Sequence, residues 1–237
     1  SYITGLYNGP TPPVYILMIG DSPSPLVTYT VSGGGYGGTD LPYVQMDADL
    51  YADMIIARWP VDDVYELVAM RDKILVYEQP TAGNSAWLNR ALFMEGYDYQ
   101  GQGMTTHADV IAELMAPPPN ASENTRWLET QNHTVADLIA YLNTGGAWAV
   151  YSAHSGPAGW SGPPPLSSGN FASFTNLDMY PLGFGHSCSS NEWNNYPDVF
   201  GEAAVTTANK GFVSYWGGSN STYWDGDDWL ERGFFDS

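Results

Sequence analysis

The stretch "TVADLIAYLNTGGAWAVYSAH" (134–154) writes a helix directly into a strand, and this limits the folds open to the chain. Thr134 is placed to cap a helix, Asp137 follows at the position that completes the cap, and Gly145-Gly146 ends the helix. "AWAVYSA" then predicts a strand. The alternation recurs along the chain. "VYILMIG" (14–20), "DMIIARW" (53–59), "NRALFME" (89–95), "PLGFGHS" (181–187) and "GFVSYWGG" (211–218) are short apolar runs with strand character. Pro60 and Asp62-Asp63 open a helix that carries its period to Glu78; "HADVIAELM" (107–115), "PDVFGEAAVTTANKG" (197–211) and "DDWLERGFF" (227–235) predict others. The Gly-rich run 33–38 reads as loop. Strands separated by amphipathic helices predict an α/β fold of three αβα layers, a mostly parallel sheet with helices on both faces. Ligands and chemistry in such sheets gather at the carboxyl ends of the strands.

The length of 237 residues suits a single domain, 1–237, and the opening "SYITGLYNGP" reads as part of a longer chain. Seven Lys and Arg against 26 Asp and Glu give a net charge of −19. Such a surface repels nucleic acid and anionic membranes alike. No apolar run reaches the roughly 18 residues of a membrane span. Abundant Gly, Pro, Trp and Tyr with scarce Lys suggest an extracellular or cell-surface protein. A single cysteine rules out an internal disulfide and leaves Cys188 as either a buried thiol or a reactive one.

Reactivity needs an imidazole close by, so the four histidines are the next consideration. His107 lies inside a helical pattern, His133 just before the Thr134 cap, and His186 two residues before Cys188. Only His154 ends a strand in a turn of small residues, 34 residues (188 − 154) ahead of Cys188. Glu95 ends a third strand, 59 residues (154 − 95) ahead of His154. A carboxylate, an imidazole and a thiol at three strand ends make a candidate catalytic set.

Several segments together resemble the catalytic domain of gingipain-type cysteine peptidases, within the clostripain/caspase/legumain-like fold group. "VYILMIGD" resembles the strand opening that family's second subdomain, and "YVQMDADLYADMIIARWPVDDVYELVAMRDKILVYE" (43–78) its acidic loop, strand ending in a basic residue, and helix. "YSAHSG" stands where the family has a strand ending Gly-His-Gly, and "GFGHSCSSNEW" where it has a strand ending Ala-Cys. "GFVSYWGGSNSTYW" resembles the strand and loop that wall the specificity pocket. The resemblance implies a caspase-like fold and a cysteine endopeptidase acting on protein or peptide substrates. Cys188 would be the nucleophile, His154 the general base and then acid, and Glu95 the carboxylate orienting the imidazole. The backbone N–H groups of Cys188 and Ser155 would form the oxyanion hole, Ser155 replacing the family's Gly.

For substrate binding, the resemblance points to Met104, Trp224, Ser187 and Asp98. Basic-residue-cleaving members carry an Asp where alignment places Met104, so an uncharged or apolar P1 side chain is expected, unless Asp98 enters the pocket. Catalysis needs no cofactor; a structural Ca²⁺ is expected at Asp47, Asp49 and Asp53, since oxygen-rich loops suit that ion. "DGDD" (225–228) is a second acidic cluster. Two alternatives stand beside the peptidase: a sortase-like transpeptidase, and a surface or binding module on a decayed peptidase scaffold. The sequence is silent on oligomeric state.

Overall fold

A computed structural model describes residues 2–21, 27–31, 35–47, 49, 51–79, 85–96, 101–114 and 123–235. In chain order the elements are α1 (Tyr2–Tyr7), β1 (Tyr15–Ile19), β2 (Val27–Val31), β3 (Gly35–Thr39), β4 (Ile55–Trp59), α2 (Val64–Glu78), β5 (Arg90–Glu95), α3 (Gln102–Leu114) and β6 (Glu123–Trp127). There follow α4 (Val135–Leu142), β7 (Trp148–Ser152), β8 (Ser155–Gly156), β9 (Gly159–Trp160), β10 (Leu166–Ser167), β11 (Leu182–His186), α5 (Phe200–Thr206), β12 (Ser214–Gly217) and α6 (Trp224–Phe235).

The central sheet has the order β12-β11-β7-β5-β6, with every neighbouring pair parallel. Side chains of its inner strands alternate between two packed faces. Leu92, Met94, Ala149 and Tyr151 point to the face covered by Leu138 and Leu142 of α4 and Phe200 and Ala204 of α5. Ala91, Phe93, Val150 and Phe184 point to the other, against Val110 of α3 and Phe235 of α6. Helix, sheet and helix thus form three layers, as the sequence predicts. A parallel pair, β1 with β4, lies apart from this sheet; α2 packs from it onto α5.

Local signals set the element ends. Asp63 caps α2 by accepting the N–H groups of Tyr65 (2.8 Å) and Glu66 (3.0 Å). At α4 the Thr134 hydroxyl accepts the Asp137 N–H (3.3 Å) and the Asp137 carboxylate accepts the Thr134 N–H (2.7 Å). Gly145 ends that helix with φ +88°, where a Cβ would lie 2.6 Å from Cβ of Trp87.

The structure departs from sequence expectation in four places. The glycine run is not all loop: Gly35–Thr39 is a strand paired antiparallel with Val27–Val31. Its ladder uses backbone groups, which glycine supplies as well as any residue. Strand β6, "ENTRW", has no apolar run to announce it, because an edge strand with one open face needs none. Helix α3 starts five residues before His107, so that residue lies mid-helix. Helix α5 is confined to seven residues, starting after Pro197 and ending at Thr206.

Candidate active site

Strands β7 and β11 are direct neighbours in parallel register, with Ser152 opposite His186. His154 and Cys188 each lie two residues beyond that pair, so sheet register alone brings them level at the carboxyl edge. The turn carrying His154 is pinned from below. Its carbonyl accepts the Tyr151 hydroxyl (2.7 Å) and the Ser161 N–H (2.9 Å), while the Tyr151 oxygen accepts the Gly162 N–H (2.8 Å). The Tyr151 ring is buried and stacks on Trp160, with centroids 4.5 Å apart. The imidazole above this anchor is exposed, and Trp224 meets it edge-on at 5.4 Å between centroids.

Ala153, His154, Ser187, Cys188, Thr222, Trp224 and Asp227 line one cleft. Five of the predicted site residues meet at or beside it. His154, Cys188, Ser187 and Trp224 form its walls, and the Ser155 hydroxyl donates to the Cys188 carbonyl. The partly exposed Cys188 sulfur accepts the Thr222 N–H at 3.3 Å. Among the described residues no hydrogen bond joins that sulfur to the His154 ring. The loop after β12 holds Thr222 in place, because the Ser189 N–H donates to the Asn220 carbonyl and the Asn191 N–H to the Gly218 carbonyl, each at 2.9 Å. Gly218 is needed there: a Cβ would sit 2.6 Å from the Ser187 carbonyl oxygen.

Asp227 escapes the sequence expectation and lines the cleft. It sits in the first turn of α6, is buried, and accepts the Thr222 hydroxyl at 2.6 Å. Burial pushes its carboxyl up to about 6; the Thr222 hydrogen bond opposes the shift, and Asp228 and Glu231 add to it. Its signal in the sequence was the "DGDD" cluster, which by itself does not tell which acid turns inward. A buried acid in the cleft does not fit the expected apolar P1 pocket. Met104 falls on α3 with its side chain outside the described residues, and Asp98 lies outside them altogether.

Glu95 ends β5, where the sequence places it. It is buried, and its Oε1 is engaged by the Arg126 guanidinium and lies 3.3 Å from Nδ1 of His107. No hydrogen bond links it to His154 among the described residues, and its Oε2 has no partner. On the other side of His107, Nε2 lies 3.0 Å from Glu231 of α6, and Glu231 in turn lies 3.8 Å from Nε2 of His186. These are ion-pair approaches rather than aligned hydrogen bonds, since among the described residues the ring nitrogens have no partner at hydrogen-bond angles. Burial pulls the His107 imidazole down, but Glu231 and Glu95 outweigh it and raise it to about 9. His186 is lowered, chiefly by burial. A charged chain therefore runs from β6 through β5 and α3 to α6.

The acidic loop does not gather its carboxylates. Asp47 accepts the Asp49 N–H (3.0 Å), Asp49 the Tyr51 N–H (2.8 Å) and Asp53 the Met46 N–H (2.7 Å). Among the described residues no group of three or more His, Cys, Asp or Glu is disposed to hold a metal ion. Asp53 also accepts the Tyr7 hydroxyl at 3.3 Å.

Against known proteins, the sequence profile of Peptidase family C25 matches residues 1–237. Lys-gingipain W83 of Porphyromonas gingivalis is 27% identical over 231 residues, covering 91% of this chain and 12% of that protein. A solved chain described as "Structure of Protease" superposes with a TM-score of 0.82 at 25% identity, over 97% of this chain and 51% of that one. The crystal structure of the Arg specific cysteine proteinase gingipain R gives 0.82 at 16% identity, over 99% and 56%. The chain thus spans about half the length of these solved structures and a small part of the curated relatives. With the profile matched from end to end over a gingipain-like fold, the chain belongs to peptidase family C25.

Proposed function

We propose that this chain is a cysteine endopeptidase that cleaves after a basic residue, lysine foremost. The observation that carries the reading is the cleft in which Cys188, His154 and a buried Asp227 converge. Burying a P1 ammonium without a countercharge is costly, and Asp227 supplies one. The carboxylate gains in turn, because a bound cation offsets its own desolvation. The name of the Lys-gingipain relative supports the same preference.

The chemistry follows from the groups at hand. His154 takes the thiol proton, and the Cys188 sulfur adds to the scissile carbonyl carbon. The backbone N–H groups of Cys188 and Ser155 meet the negative charge that develops on the carbonyl oxygen. Collapse breaks the C–N bond, His154 gives its proton to the leaving amine, and a thioester remains. Water then loses a proton to His154 and attacks the thioester. The carboxylic product leaves, and the proton returns to sulfur. The Ser155 hydroxyl, bound to the Cys188 carbonyl, holds the two strand ends together during this cycle. An extracellular or surface setting accords with the −19 charge, and no described helix is long and apolar enough to cross a membrane.

The test pairs cleavage of lysyl, arginyl and leucyl peptides with iodoacetamide labelling near pH 7. Lysyl cleavage that disappears on prior alkylation of Cys188, and in Cys188→Ala, is expected. Absence of cleavage together with an inert Cys188 would sink the reading.

A further inference from the structure

Thr222 touches both the nucleophile and the cleft acid, through different atoms. Its backbone N–H donates to the Cys188 sulfur at 3.3 Å, and its hydroxyl donates to Oδ2 of Asp227 at 2.6 Å. The hydroxyl oxygen lies 3.8 Å from the sulfur, and the Thr222 carbonyl 3.7 Å from it, so the sulfur rests against this one residue. The surrounding loop is short and tied down. Asn220 and Gly218 are bonded to the segment just after Cys188, and the Tyr223 carbonyl accepts the Asp227 N–H at 2.9 Å. A change at Asp227 therefore reaches the sulfur through one side chain and one peptide.

We propose that Thr222 is a positioning residue that couples cation binding at Asp227 to the reactivity of Cys188. This rests on the peptidase reading above and adds a direction to it. When a P1 ammonium pairs with Asp227, the carboxylate is held ionised and accepts the Thr222 hydroxyl in a charge-assisted bond. That bond fixes the Thr222 side chain and keeps its N–H aimed at the sulfur, where it stabilises the thiolate. With the cleft empty, the hydroxyl faces an acid whose ionised form is penalised by burial, and the N–H is held less firmly. The correct side chain thus prepares the nucleophile that will attack its own peptide bond, and a neutral side chain does not. Through-space attraction between bound cation and thiolate would give a similar trend, but it would not need the Thr222 hydroxyl.

The test reads alkylation of Cys188 by iodoacetamide in the 237-residue chain, with and without saturating n-butylammonium as the lysine side-chain surrogate. In the wild type the cation is expected to accelerate alkylation about fivefold or more, the lower end of typical coupling between sites. Thr222→Val, which keeps the N–H and the shape but lacks the hydroxyl, loses the acceleration; Thr222→Ser restores it; Asp227→Asn loses it. Circular dichroism checks that each variant is folded, and Thr222→Ala replaces the valine variant if that one is not. A valine variant as responsive as wild type overturns the proposal in favour of the through-space effect. A wild type that cleaves lysyl peptides yet shows no acceleration also overturns it, while leaving the peptidase reading intact. Failure of that reading has its own signature, no cleavage and an inert thiol.

Discussion

His107 and His154 both lie against residues of α6, Glu231 and Trp224 respectively, yet their surroundings are opposite. His107 is wholly buried, held between Glu95 and Glu231, and raised to about 9. His154 is exposed at a strand end with an aromatic edge beside it and the cleft in front. The first arrangement keeps a charge in place; the second leaves the imidazole open to the cleft. The same residue type is locked between carboxylates in one place and, in the proposed reading, does chemistry in the other; the difference is access to water and to carboxylates. Asp227 falls between the two regions: it is buried like the cluster, yet it lines the cleft.

The comparison breaks most sharply at His154. His154→Ala should lower kcat/KM for a lysyl peptide by about 10³-fold, within the range of a lost general base, with little change in unfolding free energy. A similar loss of activity from His107→Gln at pH 6, in a folded protein, would erase the distinction between the two histidines.

The next effect is on stability. His107 holds its proton in the folded state up to about pH 9 but releases it near 6.5 when unfolded. The folded state binds more protons between those values, so this contribution is complete below 6.5 and is lost as pH rises towards 9. Denaturant titrations should show wild type losing on the order of 3 kcal/mol relative to His107→Gln across that window. The difference between the two proteins is the informative quantity, because Lys73 acts with the opposite sign. Lys73 is buried against the carbonyls of Ala204 and Lys210, and burial lowers it to about 7, so stability from that site rises from pH 7 to its unfolded value. A variant that tracks wild type across the window would show that the carboxylates do not hold His107 charged.

The smallest effect sharpens the status of Asp227. Asp227→Asn should cut the lysyl-to-leucyl ratio of kcat/KM by about 10- to 100-fold, as expected when a buried charge loses its partner, while leucyl turnover changes little. Equal losses on both substrates would move Asp227 from the specificity wall to a purely structural place beside the Glu231 cluster.

Much of this arrangement was legible in the sequence. The apolar runs ending at Glu95, His154 and Cys188 identified three strands and their carboxyl ends, and the Thr134 and Asp63 caps marked two helices. Those signals are local, and local periodicity survives folding unchanged. Strand β6 was hidden because an edge strand needs no apolar run, and so was the Arg126 it delivers to Glu95. Glu95 lies at the strand end where it was expected, but its partners come from α3 and β6. The apolar P1 expectation lacked Asp227, which lies 39 residues (227 − 188) beyond the nucleophile in a helix that returns over the same face.

The sequence by itself determined which residues form strands and helices, which face each side chain takes, and that a histidine and the one cysteine end two strands. Tertiary structure decided that those strands are neighbours, that α6 brings Asp227 into the cleft and Glu231 against His107, and that Thr222 stands between acid and sulfur. The reason is range. Hydrophobic period and capping act over a few residues, whereas the field at a buried carboxylate is set by whatever the packed sheet places within a few ångströms of it.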